Sequence, residues 1–332
     1  MNTLAGLDIG GTKCAVSLGV LKQENRIEIL DKMIWPTPSS PDQALQEFVD
    51  HLGSLLAHHP HAVLQAIGIS CGGPLDAARG IILSPPNLPG WDFVDVVSVF
   101  RDRFGVAVGL QNDANACALA EWMWGAGIGT KHMVYLTFGT GMGAGIIANG
   151  QLYGGANDMA GEVGHIRLQA DGPVGYGKAG SFEGFCSGGG IARLGASMAQ
   201  RWLTEGKSSI LAPQNHVAKA LDARQISLAA VAGDELATTI MDQVARQLGM
   251  GLSMIIDILN PEMIVIGGIF ARQRTLFESI VQDVVRAEAL PISSNVCKIV
   301  PSALGELVGD YSSLSVAHHV MRPANHSRDT FG

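Results

Sequence analysis

The sequence is poor in charge, in cysteine patterns and in unbroken apolar stretches, and each lack removes a class of protein. Charged residues make up 16% of the 332 positions and the net charge is -8. With no dense Lys/Arg run to neutralise phosphates, nucleic acid is not an expected partner. Five cysteines, Cys14, Cys71, Cys117, Cys186 and Cys297, are scattered without a CxxC spacing. That excludes a disulfide framework or zinc ribbon and leaves small, reduced core thiols. The most apolar long window, 133–148, is broken by Thr137, Gly139, Thr140, Gly141, Gly143 and Gly145, so it reads as strands and turns instead of a membrane span. Met1 to Gly11 lacks a basic region followed by an apolar stretch. We therefore expect no secretory leader, no membrane partner and a cytoplasmic location.

What is present suits a compact enzyme. Hydrophobic residues reach 47%, enough core for one or two domains, and 42 glycines imply many tight turns and backbone-lined sites. Leu4–Ile9, Cys14–Val20 and Ile27–Ile34 read as three strands. Ser40 and Pro41 then open a helix whose Leu45, Phe48, Val49, Leu52, Leu55 and Leu56 share one face. Ala66–Ser70 and Val106–Gln111 read as buried strands, the second ending at Asn112-Asp113 before a helix over Ala114–Trp124. Val134–Phe138, a glycine turn over Gly139–Gly143 and the strand Ala144–Ala148 repeat the opening pattern, and Asn149-Gly150 signals a tight hairpin. This repetition predicts two related halves. Ile191–Leu259 is mostly helical in pattern, Met263–Ile266 is a buried strand, and a helix over Arg274–Ala289, a strand near Cys297–Val300 and a helix over Val308–Met321 follow. The tail from Arg322 is expected to fray.

Three glycine sites carry candidate chemistry. In Asp8-Ile9-Gly10-Gly11-Thr12-Lys13 a carboxylate closes a strand before a turn whose backbone N–H groups can approach phosphate, and Asp8 can hold hydrated Mg2+. A plain hairpin with a solvated Asp and Lys would read the same way. Phe138-Gly139-Thr140-Gly141-Met142-Gly143 repeats that chemistry. Ile266-Gly267-Gly268 offers a bare backbone surface for adenosine, or simply a site of close packing. Asn112-Asp113 is either a helix cap or a carboxylate placed to take a proton.

Together with Gly73-Pro74-Leu75-Asp76, Ser84-Pro85-Pro86-Asn87-Leu88-Pro89-Gly90-Trp91, Asn112-Asp113-Ala114-Asn115-Ala116 and Glu162-Val163-Gly164-His165, in that order along nearly the whole chain, these turns resemble the ROK family of sugar kinases. The resemblance implies an α/β fold of the two-domain sugar kinase/Hsp70/actin (ribonuclease H-like) ATPase type with duplicated βββαβαβα-type halves. Residues 1–115, joined by a C-terminal helix near 306–322, would form a small domain, and 116–305 a larger one. It implies ATP and Mg2+ as cofactors, held by Asp8, Gly10, Gly11, Thr12, Lys13, Gly139, Thr140, Gly141, Gly267 and Gly268. A hexose or N-acetylhexosamine substrate, phosphorylated at the 6-hydroxyl, would meet Gly73, Asn87, Asn112, Glu162, His165 and Glu183, with Asp113 as general base. Trp91 would be core or an apolar wall for the sugar. A homodimer is expected, as is common among similar proteins.

The sequence departs from the family where many members carry zinc. In a pattern like C-x-C-G-x-x-G-C-x-E, Gly177, Gly180 and Glu183 match, but Val174, Tyr176 and Ser181 replace the cysteines. No zinc is expected, and packing of Val174, Tyr176 and Phe182 would hold the loop instead. Gly72, where many relatives have proline, is a smaller departure. A catalytically silent sugar or nucleotide sensor is the competing reading. Family repressors place a DNA-binding domain ahead of the first phosphate strand, and with a strand starting by Leu4 none is expected here.

Overall fold

The computed structural model describes residues 1–22, 26–212 and 221–321; the tail from Arg322 lies outside them. Ten strands build two main sheets: β1 (Asn2–Ile9), β2 (Lys13–Leu21), β3 (Ile27–Pro36), β4 (Val63–Cys71), β5 (Ala107–Asn112), β6 (Met133–Phe138), β7 (Met142–Ala148), β8 (Gln151–Leu152), β9 (Met263–Ile266) and β10 (Lys298–Pro301). The main helices are α1 (Pro41–His58), α2 (Val96–Phe104), α3 (Asp113–Trp124), α4 (Gly188–Thr204), α5 (Ala223–Val231), α6 (Glu235–Leu259), α7 (Arg274–Glu288) and α8 (Val308–Met321). The chain divides into two compact units, one of 1–124, 155–159 and 307 onward, the other of 125–154 and 160–306.

Each unit holds a five-stranded mixed sheet, in the orders β3-β2-β1-β4-β5 and β8-β7-β6-β9-β10. In both, the first two ladders are antiparallel and the last two parallel. The expected duplication is therefore present strand for strand.

In the first unit, a row of glycines in register, Gly6 against Gly68 and Gly68 against Gly109, crosses β1, β4 and β5. A Cβ on Gly68 would run into the Ser313 carbonyl and the Ala317 N–H, so the row lets α8 lie directly on the sheet. The helix matches it with small buried residues, Ser312, Ser313, Ser315 and Ala317, and the Ser315 hydroxyl donates to the Ala116 carbonyl at 2.9 Å. Phe48, Leu52 and Phe100, from α1 and α2, are buried in the main core of this unit with Leu7, Val16, Ile67 and Ile69 of the strands. Burying each such side chain contributes about 1.5–3 kcal/mol. Helix α1 starts as its sequence dictates: the Ser40 hydroxyl accepts the Gln43 N–H at 3.2 Å and Pro41 occupies the first turn.

The second unit packs α4 to α7 around Val134, Leu136 and Phe138 of β6 and Ile264 and Ile266 of β9. Between β7 and β8, Asn149 and Gly150 take φ of 52° and 70°, the left-handed pair that a two-residue hairpin requires. The expected turn over 139–143 is shorter than read, because β7 already begins at Met142. No helix among the described residues is long and apolar enough to cross a membrane. All five cysteines are free, with Cys14, Cys71 and Cys186 buried.

Candidate active site

In the first unit, candidate residues gather at the carboxyl ends of the parallel strands, where ligands of open α/β sheets bind. Ile9, Cys71 and Asn112 stand in one cross-strand row of β1, β4 and β5, so Asp8 and Asp113 lie at the same edge of the sheet, at strand ends on either side of β4. The turn after Asp8 is tight, with the Gly10 N–H bonded to the Lys13 carbonyl at 3.1 Å, while Gly11, Thr12 and Lys13 are exposed. Thr37, which sequence reasoning missed, holds this turn twice: its hydroxyl donates to the Gly10 carbonyl at 2.5 Å and its N–H to the Thr12 carbonyl at 3.1 Å. The signal available was a polar residue at the end of the strand paired to the turn.

Burial pushes the Asp8 carboxyl up to about 6, reinforced by the Asp113 charge and opposed by Lys13 and Lys32. Asp113 is also pushed up by the mass of protein around it, against the N–H of Ala114, which bonds its Oδ1 at 2.8 Å. Its surface exposure tempers that shift. Asp8, partly desolvated and raised further by the Asp113 charge, is a hard oxygen donor of the kind a divalent cation takes. Capping falls to Asn112, whose Oδ1 accepts the Asn115 N–H at 2.7 Å.

Asn87 is exposed between two buried residues, Pro85 and Leu88, and its carbonyl lies against Gly11, 2.6 Å from where a Cβ would stand. Trp91 is 1% exposed and so belongs to the core, the plainer of its two expected roles. Gly73, at the end of the β4 turn, is exposed.

In the second unit the turn over Gly139, Thr140 and Gly141 closes with the Gly139 N–H on the Gly141 carbonyl at 3.1 Å, and Thr140 is exposed. The first N–H of α4, at Gly188, bonds the Gly139 carbonyl at 2.8 Å, so the positive end of that helix lies at the turn. Gly268 takes φ of 62°, and a Cβ there would strike the Phe138 carbonyl. Gly267 is buried beside the Tyr135 hydroxyl. Close packing is thus one real function of this glycine pair.

Glu162, exposed, precedes a single helical turn over Val163–His165. The His165 ring meets the Tyr176 ring edge-on at 5.2 Å. Glu183, on the short helix Phe182–Phe185, brings its Oε2 to the Met142 N–H at 3.2 Å, so it touches the second glycine turn. The expected apolar packing of the loop needs correcting. Phe182 is fully buried, but Val174 is 46% and Tyr176 67% exposed, so neither can supply it.

Two like units, each with the same mixed sheet and a glycine turn between its first two strands, define the sugar kinase/Hsp70/actin class of ATPase fold. Within that class the chain belongs to the ROK family, whose profile matches residues 4–318. It is similar to a glucokinase of Halalkalibacterium halodurans, 34% identical over 310 residues, covering 92% of this chain and 91% of the relative. A glucokinase of Thermotoga maritima is 30% identical over 320 residues, covering 94% and 96%. A solved structure of a ROK family glucokinase from Streptomyces griseus, in complex with glucose and AMPPNP, is 28% identical with a TM-score of 0.73, covering 96% of this chain and 99% of that one.

Proposed function

We propose that this ROK sugar kinase transfers the γ-phosphoryl group of ATP to the 6-hydroxyl of a hexose or N-acetylhexosamine, with Asp113 as general base. The observation that carries the reading is that Asp8 and Asp113 stand at one edge of the sheet, on either side of β4 and beside an exposed Gly-Thr turn, each carboxyl held above its ordinary range. A carboxylate with raised proton affinity is suited to accept a hydroxyl proton as the oxygen attacks phosphorus and ADP departs. Asp8 would hold Mg2+, which when bound supplies charge neutralisation for the phosphates. The exposed Gly11, Thr12 and Thr140, in turns shaped by Gly10, Gly139 and Gly141, would bind phosphate with the Lys13 ammonium, and Gly267 and Gly268 would lie against the adenosine. In this reading residues 1–115 and the C-terminal helix carry the base and first turn, and 116–305 the second turn and sugar loop.

Asn87, Asn112, Glu162, His165 and Glu183, with the Gly73 backbone, offer the amides, imidazole and carboxylates that pair sugar hydroxyls. An epimer leaving one of these unpaired would be rejected. The glucokinase relatives support a glucose-like substrate. A coupled ADP-release screen with Mg-ATP over glucose, mannose, allose, fructose and their N-acetylated relatives tests the proposal. Turnover on at least one is expected. Sugar binding by calorimetry with no turnover on any would instead make the chain a sugar sensor.

A further inference from the structure

The residues that stand where many family members hold zinc do not fit that ion. Val174 offers no donor, Tyr176 offers only a phenol, and the fully buried Ser181 has its hydroxyl committed, accepting the Gly184 N–H at 3.0 Å and donating to the Gly175 carbonyl at 3.3 Å. Among the described residues no group of three or more His, Cys, Asp or Glu is placed to hold a metal ion.

The loop is nevertheless closed along its length. The Leu168 N–H bonds the Gly180 carbonyl at 2.8 Å, the Gly180 N–H the Pro173 carbonyl at 3.1 Å, and the Phe182 N–H the Ile166 carbonyl at 2.8 Å. Val174–Gly175 and Lys178–Ala179 pair as a two-residue hairpin, pressed so closely on Ser181–Gly184 that a Cβ on Gly175 would meet the Ser181 hydroxyl at 2.8 Å. From that hairpin the Lys178 ammonium reaches the His165 carbonyl at 2.6 Å, a short charge-assisted bond. Beside it Tyr176 is held at φ of 44°, a strained conformation for a bulky residue, with its ring against the His165 imidazole.

We propose that Lys178 and Ser181 staple the sugar loop in place of a metal ion, Ser181 by joining the hairpin to the Glu183 turn and Lys178 by fixing the His165 backbone. Lys178 is then a positioning residue: it orients His165, and touches no reacting atom. Its kinetic consequence rests on the sugar-kinase reading above, whereas the staple itself does not.

Hydrogen exchange of the ligand-free, full-length protein, with zinc content measured after purification without added metal, reads the staple without sugar or ATP. Ser181→Ala should speed exchange at the Gly184 and neighbouring amides by about tenfold or more, and the wild type should carry no stoichiometric zinc. In turnover, Lys178→Met should raise the sugar KM by about tenfold while the ATP KM stays within about twofold, and Lys178→Arg should recover most of the loss. A general loosening of the fold would not separate the two KM values or be rescued by arginine. One equivalent of zinc per chain, unchanged exchange in Ser181→Ala, or an unchanged sugar KM in Lys178→Met would overturn the proposal. A wild type that turns over no sugar would overturn the kinase reading alone, and the exchange and zinc measurements would still decide the staple.

Discussion

At the scale of single residues, the question is what separates a capping carboxylate from a working one. Asn112 and Asp113 stand together at a helix start, and the cap is made by Asn112, with Asp113 spending one oxygen on the adjacent N–H. Asp113→Asn keeps that shape and removes only basicity. Turnover should fall roughly 10²- to 10⁴-fold with sugar binding largely retained, as titration calorimetry would show; near-normal turnover would remove Asp113 from the role. Asp8 gives a prediction about stability. With its carboxyl at about 6 in the folded chain against 3.8 ordinarily, the protonated form is the one that folding favours. Its stabilising contribution is therefore complete below pH 3.8 and is lost as pH rises through 6. In metal-free protein, Asp8→Asn should gain on the wild type between pH 4 and pH 7, by on the order of 2 kcal/mol in urea unfolding, while losing activity. A difference independent of pH would show that Asp8 is not desolvated.

At the scale of elements, local signals were read correctly where residue chemistry leaves one choice, as with Ser40-Pro41 at the start of α1 and Asn149-Gly150 in the β7–β8 hairpin. Helix α2 went unread because it is short and opens on Val96, Val97 and Val99, which prefer strands. Its caps were in plain sight: Asp95 accepts the Ser98 N–H at 3.0 Å, and Gly105 ends it at φ of 66°. The glycine row under α8 predicts a graded series. Gly68→Ala drives a methyl into backbone on α8 and should cost about 3 kcal/mol or more in denaturant unfolding. At Gly109 the nearest atoms are the side chains of Val316 and Val320, 3.2 and 3.3 Å from a Cβ, and Gly109→Ala should cost about 1 kcal/mol or less. Equal costs would mean that α8 is not held against the sheet by that row.

At the scale of the whole molecule, two sheets of the same order each carry a separate core. Such chains often depart from two-state unfolding. Scanning calorimetry of the ligand-free protein should therefore give a measured enthalpy larger than its van't Hoff enthalpy, with Gly68→Ala lowering the component of the first unit. A single two-state transition would mean that the four chain crossings couple both units fully.

The sequence by itself determined the repeated strand-turn-strand units, the starts of α1, α3, α7 and α8, the glycine turns and, through the order of its motifs, the family. These are local matters, fixed by backbone freedom, capping chemistry and the period of apolar residues. The tertiary structure alone decided which residues act on one another. Asp8 and Asp113 lie 105 positions apart and come to the same edge of the sheet because β1, β4 and β5 run parallel and end in one row. Glu183 reaches the second turn through a bond to Met142, Thr37 grips the first, and bonds from Lys178 and Ser181 cross the loop over 172–183 that Val174 and Tyr176 were expected to pack. No spacing in the sequence encodes such contacts, because they depend on strand register and on which side of a hairpin a side chain emerges.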